Sequence, residues 1–178
     1  SFLVAIAVPI VLTMALVRGL TLPWYAAWQY GRTGFPPDPY GLSQTERLQL
    51  AAATIRFLNI PGETDILETL TLPDGAPAYN DRELQHMDDV KAVYNGLTGA
   101  ALGLLVLGAL SGWVLVRREG ARGLWLALSR GATLTLILLV SLGLWMLVGF
   151  ERFFTAFHGL FFEPGTWVFY YTDTLIRL

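Results

Sequence analysis

Two long apolar runs dominate the pattern of hydrophobic and polar positions along the chain. Residues 92–116 and 131–150 form stretches of 25 and 20 residues without a single Asp, Glu, Lys or Arg. A helix of about 20 apolar residues crosses a hydrocarbon core of about 30 Å, so both runs predict transmembrane helices. Residues 1–22 form a third apolar stretch, with Pro9 inside it and Arg18 near its end. The pattern predicts an all-α integral membrane protein with a bundle of three transmembrane helices.

The first apolar stretch also has the alternative of being a cleaved signal peptide. It lacks a basic start and its apolar part is long for such a peptide, so we expect a retained helix. Pro9 is expected to kink that helix, because its ring removes a backbone hydrogen bond. Arg18 either extends its charge to the lipid–water boundary or binds a phosphate, carboxylate or oxyanion at the outer leaflet.

Two capping patterns predict further helices between the first two apolar stretches. Ser43 and Glu46 have the spacing of a capping box and predict a helix that ends at about Asn59. Asn80 and Glu83 repeat the pattern and predict a helix that continues into residues 92–116. Between these helices, residues 61–79 are rich in Pro and Gly and predict a loop with one short strand pair around residues 68–72. The Glu-Pro-Gly sequence at 163–165 predicts a turn.

Charge is unevenly distributed and predicts the topology. Residues 117–130 carry four arginines and one acid, whereas residues 23–91 carry five basic and ten acidic residues. Positive residues in short loops mark the cytoplasmic side. We therefore expect residues 117–130 to be a cytoplasmic loop and residues 23–91 to be an extracytoplasmic segment. Residues 151–178, with their many aromatic side chains, are expected in the extracytoplasmic membrane interface.

Composition narrows the chemistry further. The chain is 54% hydrophobic and 15% charged, with a mean hydropathy of +0.50. It contains no cysteine, which excludes a thiolate nucleophile, a disulfide framework and a cysteine-ligated metal. No basic patch indicates a nucleic-acid partner, and no nucleotide-binding, metalloprotease or serine-hydrolase motif is present.

The two histidines of the chain, His86 and His158, are the strongest candidates for chemistry. Each lies just outside a predicted transmembrane helix, and the topology places both near the outer head groups. Imidazoles titrate near neutral pH, which favours proton transfer on a lipid. A packed aromatic role is the alternative for each. Zinc or iron bound by both histidines and nearby carboxylates is a weaker alternative, because no HxxxH or HxH spacing occurs.

Two windows around these histidines carry a family resemblance. Residues 83–91, ELQHMDDVK, and residues 153–173, FFTAFHGLFFEPGTWVFYYTD, resemble the bacterial lipoprotein intramolecular transacylase family, Lit. The resemblance implies a small protein of the bacterial cytoplasmic membrane, usually with four apolar helices rather than the three predicted here. It also implies transfer of the sn-2 acyl chain of diacylglyceryl-cysteine to the α-amine of that cysteine, with His86 and His158 as the catalytic pair. The implied partners are a diacylated lipoprotein or lipopeptide and membrane lipids.

The residue chemistry fits this reaction without a cofactor or a metal. A neutral imidazole can take the amine proton and return it to the leaving oxygen, although the sequence does not assign the base to one histidine. Activity should then fall as the pH drops through roughly 6.5. An acid such as Asp89 would orient the imidazole. The other supporting or substrate-binding candidates are Arg18, Lys91, Tyr94, Glu151 and Arg152. The alternatives are a lipid or lipoprotein esterase, and a non-catalytic metal-binding or structural membrane subunit.

Overall fold

The computed structural model describes residues 1–60 and 65–178, and these residues form helices and loops. The helices are α1 (Phe2–Leu20), α2 (Pro23–Tyr30), α3 (Gln44–Asn59), α4 (Asp81–Phe161) and α5 (Thr174–Arg177). Within the described residues there is no strand. In place of the predicted strand pair around 68–72 stands an isolated antiparallel bridge between Thr71 and Pro77. Prolines at 73 and 77 donate no backbone hydrogen bond, which limits the ladder to that bridge.

Both predicted capping boxes are confirmed. The Ser43 side chain accepts a hydrogen bond from the backbone N–H of Glu46, and the Glu46 carboxylate accepts one from Ser43. The same reciprocal pair joins Asn80 and Glu83 at the start of α4. Helix α2 was not predicted. Its Pro23 stands at the first helical position, where a missing N–H costs nothing.

Two helices, α1 and α4, are long and apolar enough to cross a membrane by length and composition. Backbone breaks at Gly120 and Gly149 divide α4 into arms 81–119, 121–148 and 150–161. Gly120 has a φ of 72°, in the left-handed region that favours glycine. This break falls between the two apolar runs, and the side chain of Leu115 on one arm lies close to Gly123 on the next.

The chain divides into two units, and the first comprises residues 1–17 and 95–160. In this unit small residues allow close helix approach. A Cβ added at Gly108 would lie 3.2 Å from the Cβ of Ala7, and one added at Gly131 would lie 2.7 Å from the Cβ of Val8. Helix α1 therefore packs against both of the long arms of α4 through glycines, as membrane helices commonly do.

The second unit comprises residues 18–94 and 161–178 and has its own apolar core. That core consists of Leu42, Leu50, Phe57, Leu67, Ala78, Tyr79 and Met87. Helix α5 is tied to it by polar contacts: the Thr174 hydroxyl donates to the carbonyl of Ala78, and the Arg47 guanidinium donates to the carbonyl of Arg177 at 2.7 Å. Residues 61–64, which belong to the predicted loop, lie outside the described residues.

Candidate functional site

His86 lies in the second unit, on the second turn of α4, and its side chain is buried. The residue is 9% exposed. Its imidazole makes edge-type contacts with two phenylalanine rings, with centroid distances of 5.0 Å to Phe162 and 5.2 Å to Phe169. Both rings belong to the second of the two sequence windows around the histidines. The structure therefore brings one histidine window against aromatic residues of the other.

Arg82 stands one helical turn before His86 and holds the chain that carries Phe169. Its guanidinium lies 5.6 Å from the centroid of the Phe169 ring and 5.0 Å from that of Tyr170. Its Nη2 also pairs with the Asp173 carboxylate at 2.8 Å. Sequence reasoning missed Arg82 and Asp173 as site residues. The available signal was the i, i+4 spacing of Arg82 and His86, which places them on one face of a helix.

Glu83, which follows Arg82 on α4, is buried and joins α4 to α5 by a hydrogen bond. It is 1% exposed, and its carboxylate accepts hydrogen bonds from the backbone N–H of Leu175 at 2.8 Å and of Asn80 at 2.9 Å. Burial raises the pKa of Glu83 above its ordinary value, and these hydrogen bonds oppose the rise. Glu83 therefore anchors the chain that runs from Phe162 to α5.

His158 lies in the first unit, on the last arm of α4, and its surroundings differ from those of His86. It is partly exposed. Its Nδ1 is 2.8 Å from the backbone carbonyl oxygen of Phe154, one turn earlier, and its ring lies 3.9 Å from the Phe154 ring. A carbonyl oxygen only accepts hydrogen bonds, so Nδ1 carries the proton in this arrangement. In the neutral imidazole the lone pair is then on Nε2.

Arg18 and Tyr94, two of the supporting candidates, are in contact. The Arg18 guanidinium lies 5.0 Å from the centroid of the Tyr94 ring. The Tyr94 hydroxyl donates to the Asn59 amide oxygen at 3.1 Å and lies 2.7 Å from the Thr21 hydroxyl. The Asn59 amide nitrogen in turn donates to the carbonyl of Thr21 at 2.7 Å. These hydrogen bonds connect Tyr94 on α4 to Asn59 at the end of α3 and to Thr21, which follows α1.

The remaining candidates are distributed over both units. Lys91 is buried, with its ammonium 4.1 Å from the centroid of the Phe57 ring. Asp89, proposed to orient an imidazole, is partly buried one turn after His86. Glu151 and Arg152 are exposed on the last arm of α4. Within residues 1–60 and 65–178, no group of three or more His, Asp or Glu side chains is arranged to hold a metal ion.

Fold and site together define a class of protein. Over residues 1–60 and 65–178 the regular structure is helical, and two of the helices are apolar enough to cross a membrane. One histidine is buried among aromatic rings in the second unit, and the other is fixed in one tautomer in the first unit.

Comparison with known proteins gives the family. The family model of the lipoprotein intramolecular transacylase Lit matches residues 2–178. An uncharacterized protein of Aquifex aeolicus (strain VF5) is 30% identical over 154 residues, which are 86% of this chain and 68% of that relative. No solved structure matches the chain. The chain belongs to the Lit family, so the predicted family is confirmed, and at family level its activity is that of an acyltransferase acting on lipoproteins.

Proposed function

We propose that the protein moves an acyl chain within diacylated bacterial lipoproteins. The α-amine of the lipid-modified cysteine attacks the sn-2 ester carbonyl, and a C–N amide bond replaces the C–O ester bond. The amine proton ends on the sn-2 oxygen, which becomes a hydroxyl. The product is a lyso-form lipoprotein with an N-acylated cysteine. The family match over residues 2–178, which includes both histidines, carries this proposal.

His158 is proposed as the general base. The hydrogen bond from its Nδ1 to the Phe154 carbonyl favours the tautomer with the lone pair on Nε2. That nitrogen would accept the amine proton as the amide forms and return it to the leaving oxygen. Because amine and ester belong to one substrate molecule, proximity supplies much of the rate, and no acyl-enzyme is needed.

His86 is proposed as the second catalytic group, which donates a hydrogen bond to the oxygen that becomes negative in the tetrahedral intermediate. Its burial among Phe162 and Phe169 supports this role. A hydrogen bond is electrostatically stronger where water is excluded than in bulk solvent.

The proposed setting is the outer face of the bacterial cytoplasmic membrane. The break at Gly120 is flanked by exposed Arg117, Arg118 and Arg122, which favours a cytoplasmic position for this turn.

Because the chain has no cysteine, single cysteine substitutions report topology without background. An impermeant maleimide applied to intact spheroplasts should label Thr69→Cys and should label Ala121→Cys only after lysis. The reverse pattern would reject this orientation.

The test of the reaction uses purified protein in lipid vesicles and a synthetic diacylglyceryl-cysteine peptide with a free α-amine. Transfer leaves the mass unchanged, so tandem mass spectrometry must locate the acyl chain on nitrogen or oxygen. Two substrates are mixed to separate intramolecular from intermolecular transfer. One carries heavy isotopes in both its sn-2 chain and its peptide, and the other is unlabelled. His86→Ala and His158→Ala are compared with Gln85→Ala and Thr155→Ala, exposed neighbours on the same helix.

We expect the parent protein and the two control variants to form N-acyl peptide. The heavy acyl chain should never appear on the light peptide, nor the light acyl chain on the heavy peptide. Each histidine variant should lose most of the activity. Release of free fatty acid would indicate an esterase instead. An untouched substrate with folded protein would reject the transacylase and favour a structural or binding role.

A further inference from the structure

A short stack of side chains leads from the surface of the second unit to His86. The Arg82 guanidinium lies over the Phe169 ring at 5.6 Å, and the Phe169 ring lies 5.2 Å from the imidazole of His86. Arg82 and His86 are four residues apart on α4, so they lie on the same side of the helix. Phe169 is therefore contacted by both of these side chains of one helix.

Arg82 is itself fixed in orientation. Its Nη2 pairs with the Asp173 carboxylate at 2.8 Å, and the Asp173 side chain is only 10% exposed. The same carboxylate accepts hydrogen bonds from the backbone N–H of Tyr170 at 2.8 Å and from the Asn80 side chain at 3.2 Å. Asp173 thus closes the Tyr170–Asp173 turn, and Arg82 holds that turn to the start of α4.

This arrangement is unlike an ordinary surface ion pair. Isolated exposed pairs contribute little to stability, but this guanidinium also lies over two aromatic rings, those of Phe169 and Tyr170. A planar guanidinium can stack and pair at the same time, which an ammonium does not do. The identity of Arg82, and not only its charge, is therefore tied to the position of Phe169.

We propose that Arg82 is a positioning residue for His86, because it clamps the Phe169 ring against the imidazole and so restricts the imidazole to one orientation. This inference rests on the proposed function, in which His86 takes part in acyl transfer. Loss of the clamp would leave α4 and its capping box intact while the imidazole gains alternative orientations. Outer partners that orient metal-binding histidines typically change activity by about 10-fold to 100-fold, and we expect an effect of the same order here.

The test has two readouts, one of which does not need activity. The chain has two histidines, so ring-labelled histidine gives one set of NMR signals for each, assigned with His158→Asn. Arg82→Gln, Arg82→Lys and Asp173→Asn are compared with Arg32→Gln. Arg32 is a matched control, because it also stacks on an aromatic ring, that of Trp28 at 5.4 Å, in the same unit. Acyl transfer is measured on the same preparations.

Arg82→Gln is expected to shift the His86 ring signals, through the changed ring current of Phe169, and to leave those of His158 in place. The rate of N-acyl formation should fall about 10-fold to 100-fold, with Arg82→Lys intermediate and Arg32→Gln unchanged. Unaltered His86 signals in Arg82→Gln would overturn the inference, even if activity or melting temperature fell. If the parent protein forms no N-acyl product, the proposed function fails, and the His86 signals still decide whether Arg82 positions the imidazole.

Discussion

The two units differ in where they place their apolar side chains. In the first unit large apolar residues point outward, with Leu147 at 85% and Val148 at 88% exposed, whereas the second unit buries Phe57 and Leu67 to 1%. Large exposed apolar surfaces mark sites that interact with a membrane or with another protein. The difference supports the membrane setting proposed for the first unit.

The histidines follow the same division. His158, in the first unit, is held by the carbonyl of its own helix. His86, in the second unit, is held by side chains from a distant part of the sequence. The two imidazoles are thus fixed by different means, and this suggests unequal roles that can be measured.

The largest expected effect is on catalysis. His158→Asn should lower kcat/KM by about 10²-fold to 10⁴-fold, the range that a general base contributes, and His86→Asn should cost less. If the histidines act in one step, the double variant should be little worse than His158→Asn alone, because residues that act as a unit are not additive. The measurement is the rate of N-acyl formation for both single variants and the double variant.

This division of roles would be contradicted if the two single variants lost kcat/KM equally and the fold-loss of the double variant equalled the product of the two single fold-losses. Circular dichroism of each variant serves as the control for folding.

The next effect concerns the stability of the second unit. Arg177 Nη2 pairs with the Asp38 carboxylate at 2.8 Å, and the two side chains are 9% and 1% exposed. This guanidinium holds the pKa of Asp38 below its usual range. Removing one member leaves a buried charge without its partner, which costs about 3 kcal/mol or more. Asp38→Ala should lower the free energy of unfolding by that amount in chemical denaturation.

Asp88→Ala is the control for this measurement, because Asp88 is an exposed acid on α4 and its loss should change stability by less than about 0.5 kcal/mol. Similar values for the two variants would show that the Asp38–Arg177 pair stabilises nothing.

Sequence reasoning predicted what is encoded locally. Both capping boxes were found because cap chemistry needs only four consecutive residues. Helix α2 was not predicted, although its first residue, Pro23, is of a type common at helix starts. The Arg82–Asp173 pair joins residues 91 positions apart, and no periodicity links such positions. His86 was therefore predictable as a candidate, while the residues that hold it were not.

A smaller effect is expected at Tyr94, where α1, α3 and α4 meet in the second unit. Tyr94→Phe removes the hydroxyl that donates to Asn59 and lies 2.7 Å from the Thr21 hydroxyl, but keeps the ring beneath Arg18. Thr21 and Asn59 are partly buried, and the loss of each of these hydrogen bonds costs about 0.5–1.5 kcal/mol. Denaturation should show this loss, whereas Tyr40→Phe, at an exposed tyrosine, should show almost none. If Tyr94→Phe left the free energy of unfolding unchanged, the hydrogen bonds among Tyr94, Asn59 and Thr21 would not stabilise the unit.

The smallest effect is a pH dependence at Glu83, and its sign separates it from Asp38. Burial raises the pKa of Glu83 above 4.5. At a pH between the pKa of Glu83 in the unfolded chain and its higher pKa in the folded protein, the folded protein keeps a proton that the unfolded chain has released. Stability therefore falls as the pH rises through that window. Asp38, whose pKa is lowered, contributes the opposite slope at lower pH. Glu83→Gln cannot titrate and should be less sensitive to rising pH than the parent protein.

Thermal melting of the parent protein and Glu83→Gln, measured in steps upward from pH 4.5, gives the difference that isolates this carboxyl group. Gln offers one acceptor oxygen to the two N–H groups of Asn80 and Leu175, so the variant should melt lower at every pH. Its smaller decline with pH is the diagnostic feature. Parallel melting curves for the two proteins would show that Glu83 has the same proton affinity in the folded and unfolded chain, and that its two backbone hydrogen bonds fully offset the cost of burial.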